Sequence, residues 1–426
     1  MEADVRDKKQ LDVVNKYLVA DPLKCTLLLS TGFGKSKVVI DIIKAKAYQK
    51  VVILVNSQQL RDESWEAEFV KFGMADFYKN NVEMHTYQVA YKWKKDEKDL
   101  SDSFIVADEA DFAADVPEFS KFFYEYSDCT ILAVTGFITE GKTSWFKEHL
   151  PILYKYTASQ AQQEELLNKI KFIFVKYDLS RDPNDVTVSY KKQGVSKSFT
   201  QSENSAYLYA QKQFQTAMGQ KSKLIVEYET GFMDFEDYQK HAKSADYKIR
   251  MASSSRSDLL LNSVATANMA KKILAHIGKD PKNKTIVFSK RTEQSAKVCG
   301  EDRTYNGKTP KKELKTRIDA FNSGDLKVLG VCDKINRGAN LEGLNTAILE
   351  TFFGSDTQAT QRIGRGMRLN PGEFATFYVL LPHSIAPTKE DVYVSKETQQ
   401  VVWARSMLRS TNVTLHAVWD YRTIKT

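Results

Sequence analysis

The chain has 426 residues, with 62 Lys and Arg against 54 Asp and Glu and a formal net charge of +8. At roughly 150 residues per domain, that length predicts two or three domains with a sizeable core. The 42% hydrophobic and 27% charged fractions exclude collagenous, mucin-like and grossly disordered classes. The modest basic excess permits a nucleic-acid partner without requiring one.

The four cysteines (Cys25, Cys129, Cys299 and Cys332) contain no CxxC pair, and the six histidines form no HExxH pattern. Neither a zinc site nor a disulfide framework is therefore predicted. Apolar runs such as Val51–Val55 stop after five residues, far short of the ~18 that span a bilayer. The expected compartment is a reducing cytoplasm, with no membrane contact.

In chain order, short β-rich runs alternate with helical patterns. Cys25–Ser30 leads into Lys35–Tyr48, and Val51–Val55 into Leu60–Phe72. Phe104–Ala107 and Thr130–Val134 read as two further buried strands. The rhythm returns with Thr285–Phe288, the helical Glu293–Cys299, the amphipathic Lys311–Phe321 and Val328–Cys332, then Ala347–Glu350 and Thr376–Leu381. Strands alternating with helices predict parallel sheets covered on both faces. The expected division is an α/β domain at 1–158, an intervening subdomain at 159–255 and a second α/β domain at 256–426. In the middle part, Val186–Tyr190 and Lys197–Thr200 flank a turn at Lys191-Lys192-Gln193-Gly194, and residues 201–250 are polar and helix-prone.

Ser30-Thr31-Gly32-Phe33-Gly34-Lys35-Ser36 joins an apolar strand to a helix. That is the context of a phosphate-binding loop, although position 29, where the first glycine of the full motif would fall, is Leu. Glycines let backbone N–H groups approach phosphate oxygens, and the helix N-terminus favours negative charge. Lys35 is expected on the β and γ phosphates and Ser36 on Mg²⁺. About 70 residues later, Phe104–Ala107 ends in the adjacent carboxylates Asp108 and Glu109. Asp108 is expected to hold Mg²⁺ and Glu109 to orient and deprotonate a water. Further on, Gln361-Arg362-Ile363-Gly364-Arg365-Gly366-Met367-Arg368 places Arg365 and Arg368 on one side of a helix, where they supply positive charge for a γ-phosphate.

These segments resemble, in order, the motifs of a superfamily 2 helicase or translocase. Thr31–Ser36 look like motif I, Asp108–Asp111 like motif II and Ala133–Phe137 like motif III. Ile286–Ser289 resemble motif IV, Cys332–Asn340 motif V and Gln361–Arg368 motif VI. The resemblance implies two tandem RecA-like parallel-sheet domains with a small insertion or subdomain between them. ATP and Mg²⁺ lie in the cleft and nucleic acid across the top.

The resemblance further implies nucleotide contacts from Gln10 (in a Q-motif-like Val5–Gln10), Thr31, Gly32, Phe33, Gly34, Lys35, Ser36, Gly338 and Asn340. It implies catalytic roles for Lys35, Asp108, Glu109, Gln361, Arg365 and Arg368. Nucleic-acid contacts are implied for Ser57 and Thr86 (in segments like motifs Ia and Ib), Thr135, Ser289, Asp333 and Arg337. Lys191 and Lys192 of the predicted hairpin are expected on phosphates.

Departures steer the family. Asp108-Glu109-Ala110-Asp111 spells the DEAD-box tetrapeptide, but motif III is Thr135-Gly136-Phe137, motif VI opens with Gln361, and Asn340 stands where aspartate is usual. Thr135–Lys142 looks more like phage recombination helicases of the UvsW kind, related in function to RecG. The implied partner is DNA that is forked, branched or duplex with single-strand regions, acted on by a monomer in the cytoplasm (of the host cell if the protein is phage-encoded). RNA is the alternative substrate. From another class, a nucleotide-switched binding scaffold is also open.

Overall fold

The short apolar runs pair side by side into two sheets. The computed structural model describes residues 2–30, 32–56, 58–93, 96, 98–114, 116–126, 128–136, 138, 140–192, 195–305, 309–332, 341–350, 373–385, 391–393 and 415–421. In the first sheet β1 (Lys24–Leu29), β2 (Val51–Val55), β3 (Val82–Thr86), β4 (Phe104–Asp108), β5 (Thr130–Thr135) and β6 (Ile152–Tyr156) take the order β3-β2-β4-β5-β1-β6. Every neighbouring pair is parallel. All five residues of β2 are buried, as a strand with helices on both faces requires. The helix Lys35–Lys46 answers with Val38, Val39, Ile40, Ile42 and Ile43 buried, pairs four apart that share one face.

This order matters for function. Only β5 lies between β1 and β4, so the loop leaving β1 and the carboxylates leaving β4 open onto the same edge of the sheet. Crevices outside the carboxyl ends of parallel strands are where such folds bind ligands.

The middle segment opens with β7 (Lys169–Asp178), followed by β8 (Val186–Lys192) and β9 (Val195–Gln201). The second sheet adds β10 (Thr285–Ser289), β11 (Thr304–Tyr305), β12 (Val328–Cys332), β13 (Thr346–Leu349), β14 (Phe374–Ile385), β15 (Asp391–Tyr393) and β16 (Leu415–Asp420). Its main path, β11-β12-β10-β13-β14-β7-β16, is parallel throughout. β15 pairs antiparallel with β14. The chain is thus a tandem of two parallel-sheet α/β units, as the strand–helix rhythm predicts. Residues 159–255 do more than form an inserted subdomain, because β7 is clamped between β14 and β16, with Phe172 opposite Phe377 and Ile173 opposite Ala417.

The predicted hairpin is β8 paired antiparallel with β9, from Val186 opposite Gln201 to Lys192 opposite Val195. Two helices of 27 residues follow, Glu203–Glu229 and Phe235–Leu261. Ser202 and Asp234 cap them by accepting from Ser205 N and Asp237 N. At the base, buried Glu203 accepts from Ser180 N, Ala265 N and the Ser263 hydroxyl, and from Val264 N. The carboxylate thereby sits at the N-terminus of the helix Val264–Ile277, the favourable end of its dipole, and ties the helical pair to the second unit.

One continuous apolar core joins Val13, Leu27 and Ile43 in the first unit, through Leu166, Leu167 and Ile170, to Phe172, Ile286 and Phe377 in the second. Among the described residues no helix is long and apolar enough to cross a membrane.

The carboxyl edge of the second sheet carries a buried charge. Ser289 pairs with Cys332 across β10 and β12, and Glu350, directly after β13, donates its backbone N–H to Phe288 O at 3.3 Å. Glu350 is 1% exposed, and its Oε1 has no hydrogen-bond partner among the described residues. Burial pushes its carboxyl up from 4.5 to about 7. Because the folded value lies above the unfolded one, the penalty is absent in acid, grows as pH rises past the unfolded value, and is complete above about 7. Glu350→Gln is expected to stabilise the protein at pH 8, by on the order of 2 kcal/mol, and to change little at pH 4.5. Denaturant unfolding at the two pH values checks this; an equal effect at both would contradict it.

Candidate nucleotide site

The loop after β1 is held by its own glycines. Gly32 and Gly34 adopt φ of +88° and +91°, a left-handed conformation that side chains disfavour. Space enforces the same choice, since a Cβ on Gly34 would collide with Gln10 Nε2 and one on Gly32 would lie 3.0 Å from Leu167 Cδ2. Phe33, between them, is 3% exposed and packs on the Tyr156 ring at 4.9 Å. Ser30 N donates to Tyr156 O at 2.9 Å. The loop is therefore pinned by β6 beneath it.

Gln10, on the helix Glu2–Ala20, donates from Nε2 to the Phe33 carbonyl at 2.6 Å. A carbonyl only accepts, so the amide must turn its NH₂ to Phe33 and its oxygen away. That Oε1 is buried with no partner among the described residues. The segment after β6 locks this helix in place. Arg6 donates to Leu166 O at 3.2 Å, Lys9 pairs with Glu164 at 3.0 Å, and Tyr156 donates to Glu164 at 2.6 Å.

Across the crevice, Lys35 Nζ lies 3.3 Å from Glu109 Oε1. Burial alone would lower the lysine's pKa, but the carboxylates of Glu109, Asp108 and Asp111 outweigh it and raise it, so the side chain stays charged. Asp108 is pushed up to about 6, first by burial and then by Glu109, while Lys35 and Trp65 pull it back. Glu109 takes a left-handed φ of +51°, which a β-carbon disfavours. Such strain is held only where the surroundings enforce it and is common at functional sites. Here it turns the chain sharply out of β4, with Glu109 meeting Lys35.

Asp108 is gripped from two further directions. Trp65 Nε1 donates to Asp108 Oδ2 at 3.1 Å, and the Tyr87 hydroxyl donates to the Asp108 carbonyl at 2.9 Å. Beside them, Thr135 Oγ1 donates to Asp111 Oδ1 at 2.7 Å, and Lys142 Nζ to the Asp111 carbonyl at 2.7 Å. Segments 108–111 and 135–142 are thus physically joined.

The structure brings together Gln10, Gly32, Phe33, Gly34, Lys35, Asp108 and Glu109. Ser36 sits in the first turn of its helix and is half-buried. Thr86, Thr135 and Ser289, expected at nucleic acid, are 5%, 0% and 0% exposed, and the Thr135 hydroxyl is spent on Asp111. Thr31, Ser57, Asp333, Arg337, Gly338, Asn340, Gln361, Arg365 and Arg368 lie outside the described residues, as do the side chains of Lys191 and Lys192. Trp65, Tyr87 and Leu167 are not among the site residues expected from the sequence. Trp65 and Tyr87 carried a signal there, as members of Trp65–Phe69 and His85–Gln88, which resemble motifs Ia and Ib.

With this geometry in place, comparison with known proteins is informative. Residues 267–370 match the family model described as "Helicase conserved C-terminal domain". No curated protein matches the sequence. In fold the chain is similar to an "ATP-dependent Type ISP restriction-modification enzyme LlaBIII bound to DNA", with a TM-score of 0.58 and 14% identity over 97% of this chain and 31% of that one. It is also similar to a fragment of a putative HsdR subunit of a type I restriction enzyme from Vibrio vulnificus YJ016, with a TM-score of 0.55 and 13% identity over 96% of this chain and 68% of that one. The chain thus spans about a third of the length of the restriction enzyme it resembles. The family match marks residues 267–370 as similar to the C-terminal domain of helicases, and the tandem parallel sheets are the fold that the chain shares with these structures.

The residues present fit ATP and Mg²⁺. An orphaned acceptor on Gln10, two glycines that leave no room for a Cβ, and a lysine answered by carboxylates form a cradle for an adenine, a phosphate chain and a cation. Gln10 Oε1 would accept from the amino group of adenine and meet only an oxygen on guanine. Gln10→Ala is expected to weaken nucleotide binding by about tenfold and abolish preference for ATP over GTP. Titration with fluorescent ATP and GTP analogues measures both.

Proposed function

We propose that this chain is an ATP-driven superfamily 2 DNA motor that remodels forked, branched or recombination-intermediate DNA. The observation that carries the reading is the convergence of Lys35, Asp108 and Glu109 at one edge of a parallel sheet, with a second parallel sheet in tandem. Bound Mg²⁺ would neutralise the phosphate oxygens and polarise the transferred group.

Each residue then has a defined task. Lys35 would hold the β and γ phosphates through its charge, and Ser36 and Asp108 would hold the metal. Glu109 leaves Lys35, orients the attacking water and takes its proton. Gln10 seats the adenine. Arg365, Arg368 and Gln361 of the second unit supply positive charge and a hydrogen-bonding amide at the γ-phosphate when the cleft closes. The resemblance assigns nucleotide contacts to Gly338 and Asn340 as well. ATP and product states must differ in their preference for closure for turnover to drive motion. DNA would cross both units at Ser57, Asp333 and Arg337, with the hairpin Lys191 and Lys192 on phosphates. Thr86, Thr135 and Ser289 are buried and are given no contact with DNA in this reading.

A second reading has a specific observation in its favour. The fold is similar to a restriction enzyme bound to DNA, so tracking along intact duplex without strand separation is the alternative activity. Steady-state ATPase separates the two when measured with no nucleic acid, single strand, plain duplex, a fork, a four-way junction and matched RNA, with Lys35→Ala as the blank. Forks or junctions are expected to stimulate at least several-fold more than plain duplex. Equal stimulation by duplex favours tracking, stimulation by RNA alone overturns the DNA assignment, and no stimulation by any of them leaves the binding scaffold as the better description.

A further inference from the structure

We infer that Trp65 is a positioning residue that fixes the carboxylate of Asp108 for the divalent cation. The inference rests on the nucleotide-site reading above. Trp65 lies on the helix Gln58–Lys71, is 3% exposed, and its only polar atom donates to Asp108 Oδ2 at 3.1 Å. A buried indole N–H requires an acceptor, and this one has found the carboxylate of Asp108 in the crevice.

The chemistry favours this donor. An aspartate carboxylate rotates freely about its last torsion unless one oxygen is anchored. A lysine or arginine anchor would bring a positive charge against an incoming cation. The indole is neutral and donor-only, so it fixes one oxygen without opposing the metal.

The main chain is fixed separately, by the hydroxyl of Tyr87, which is 1% exposed. Asp108 is therefore held at both its backbone and its side chain by aromatic donors from two different helices. Trp65 is itself backed by Phe69 at 6.2 Å, and Phe69 by Tyr78 at 5.3 Å. Partners that orient a metal ligand without touching the metal typically contribute 10–100-fold in metal affinity.

Trp65→Phe keeps most of the ring and removes the N–H. Binding of a fluorescent ATP analogue is titrated against Mg²⁺, and again in EDTA without metal. The variant is expected to need about tenfold more Mg²⁺ for half-maximal binding, with metal-free binding and thermal unfolding near wild type. Replacement of Trp65 by benzothienylalanine, which keeps the bicyclic shape and lacks only the N–H, is expected to do the same and guards against a packing defect in the phenylalanine variant. An unchanged Mg²⁺ requirement in benzothienylalanine protein overturns the inference, as does an equal loss of binding with and without metal. If wild-type protein itself shows no Mg²⁺-dependent nucleotide binding, the nucleotide-site reading fails instead.

Discussion

The ion pair between Lys35 and Glu109 is the contact on which the rest of the site depends. Two charges taken out of water gain little net stability from each other, so the fold does not need this pair for its own sake. Its value lies in what it keeps ready. Lys35 remains charged in a buried place because three carboxylates surround it, and Glu109 remains aimed at the phosphate loop across the crevice. On the proposed reading, a polyphosphate with its metal would satisfy both partners once they separate.

Everything that produces this juxtaposition is backbone geometry. Parallel pairing of β1 and β4 on either side of β5 brings two segments 74 residues apart to one edge. The left-handed glycines aim the loop, and the left-handed Glu109 turns the chain out of β4. The helix Glu2–Ala20 then closes the site from one side, and the segment through Glu164 and Leu167 holds that helix in place. The same segment runs on into β7 of the second sheet. The chain that touches the phosphate loop is thus the chain that links the two units.

Much of this was legible in the sequence, for a physical reason. Motif residues are bound by local rules: glycine where φ is positive, lysine at the first turn of a helix, carboxylates at the end of a buried strand. The alternation of apolar runs with helical patterns announced the two sheets in the same way. Other features depend on contacts between residues far apart, which no local pattern encodes. β7 is not singled out in the sequence, and its pairing with β14 and β16 makes it part of the second sheet. Trp65 looks like one more core aromatic until its indole N–H is found on Asp108. Thr135 offered a hydroxyl for nucleic acid, and the fold uses that hydroxyl to bind Asp111.

Most directly at stake is whether the Lys35–Glu109 pair is the resting form of a phosphate site. Calorimetric titration of Mg·ATP into wild type and Glu109→Gln, with turnover measured on the same samples, decides this. The neutral amide should release Lys35, so that nucleotide binds at least as tightly as to wild type while hydrolysis falls to background. Loss of nucleotide binding in Glu109→Gln, or turnover close to wild type, would contradict the account.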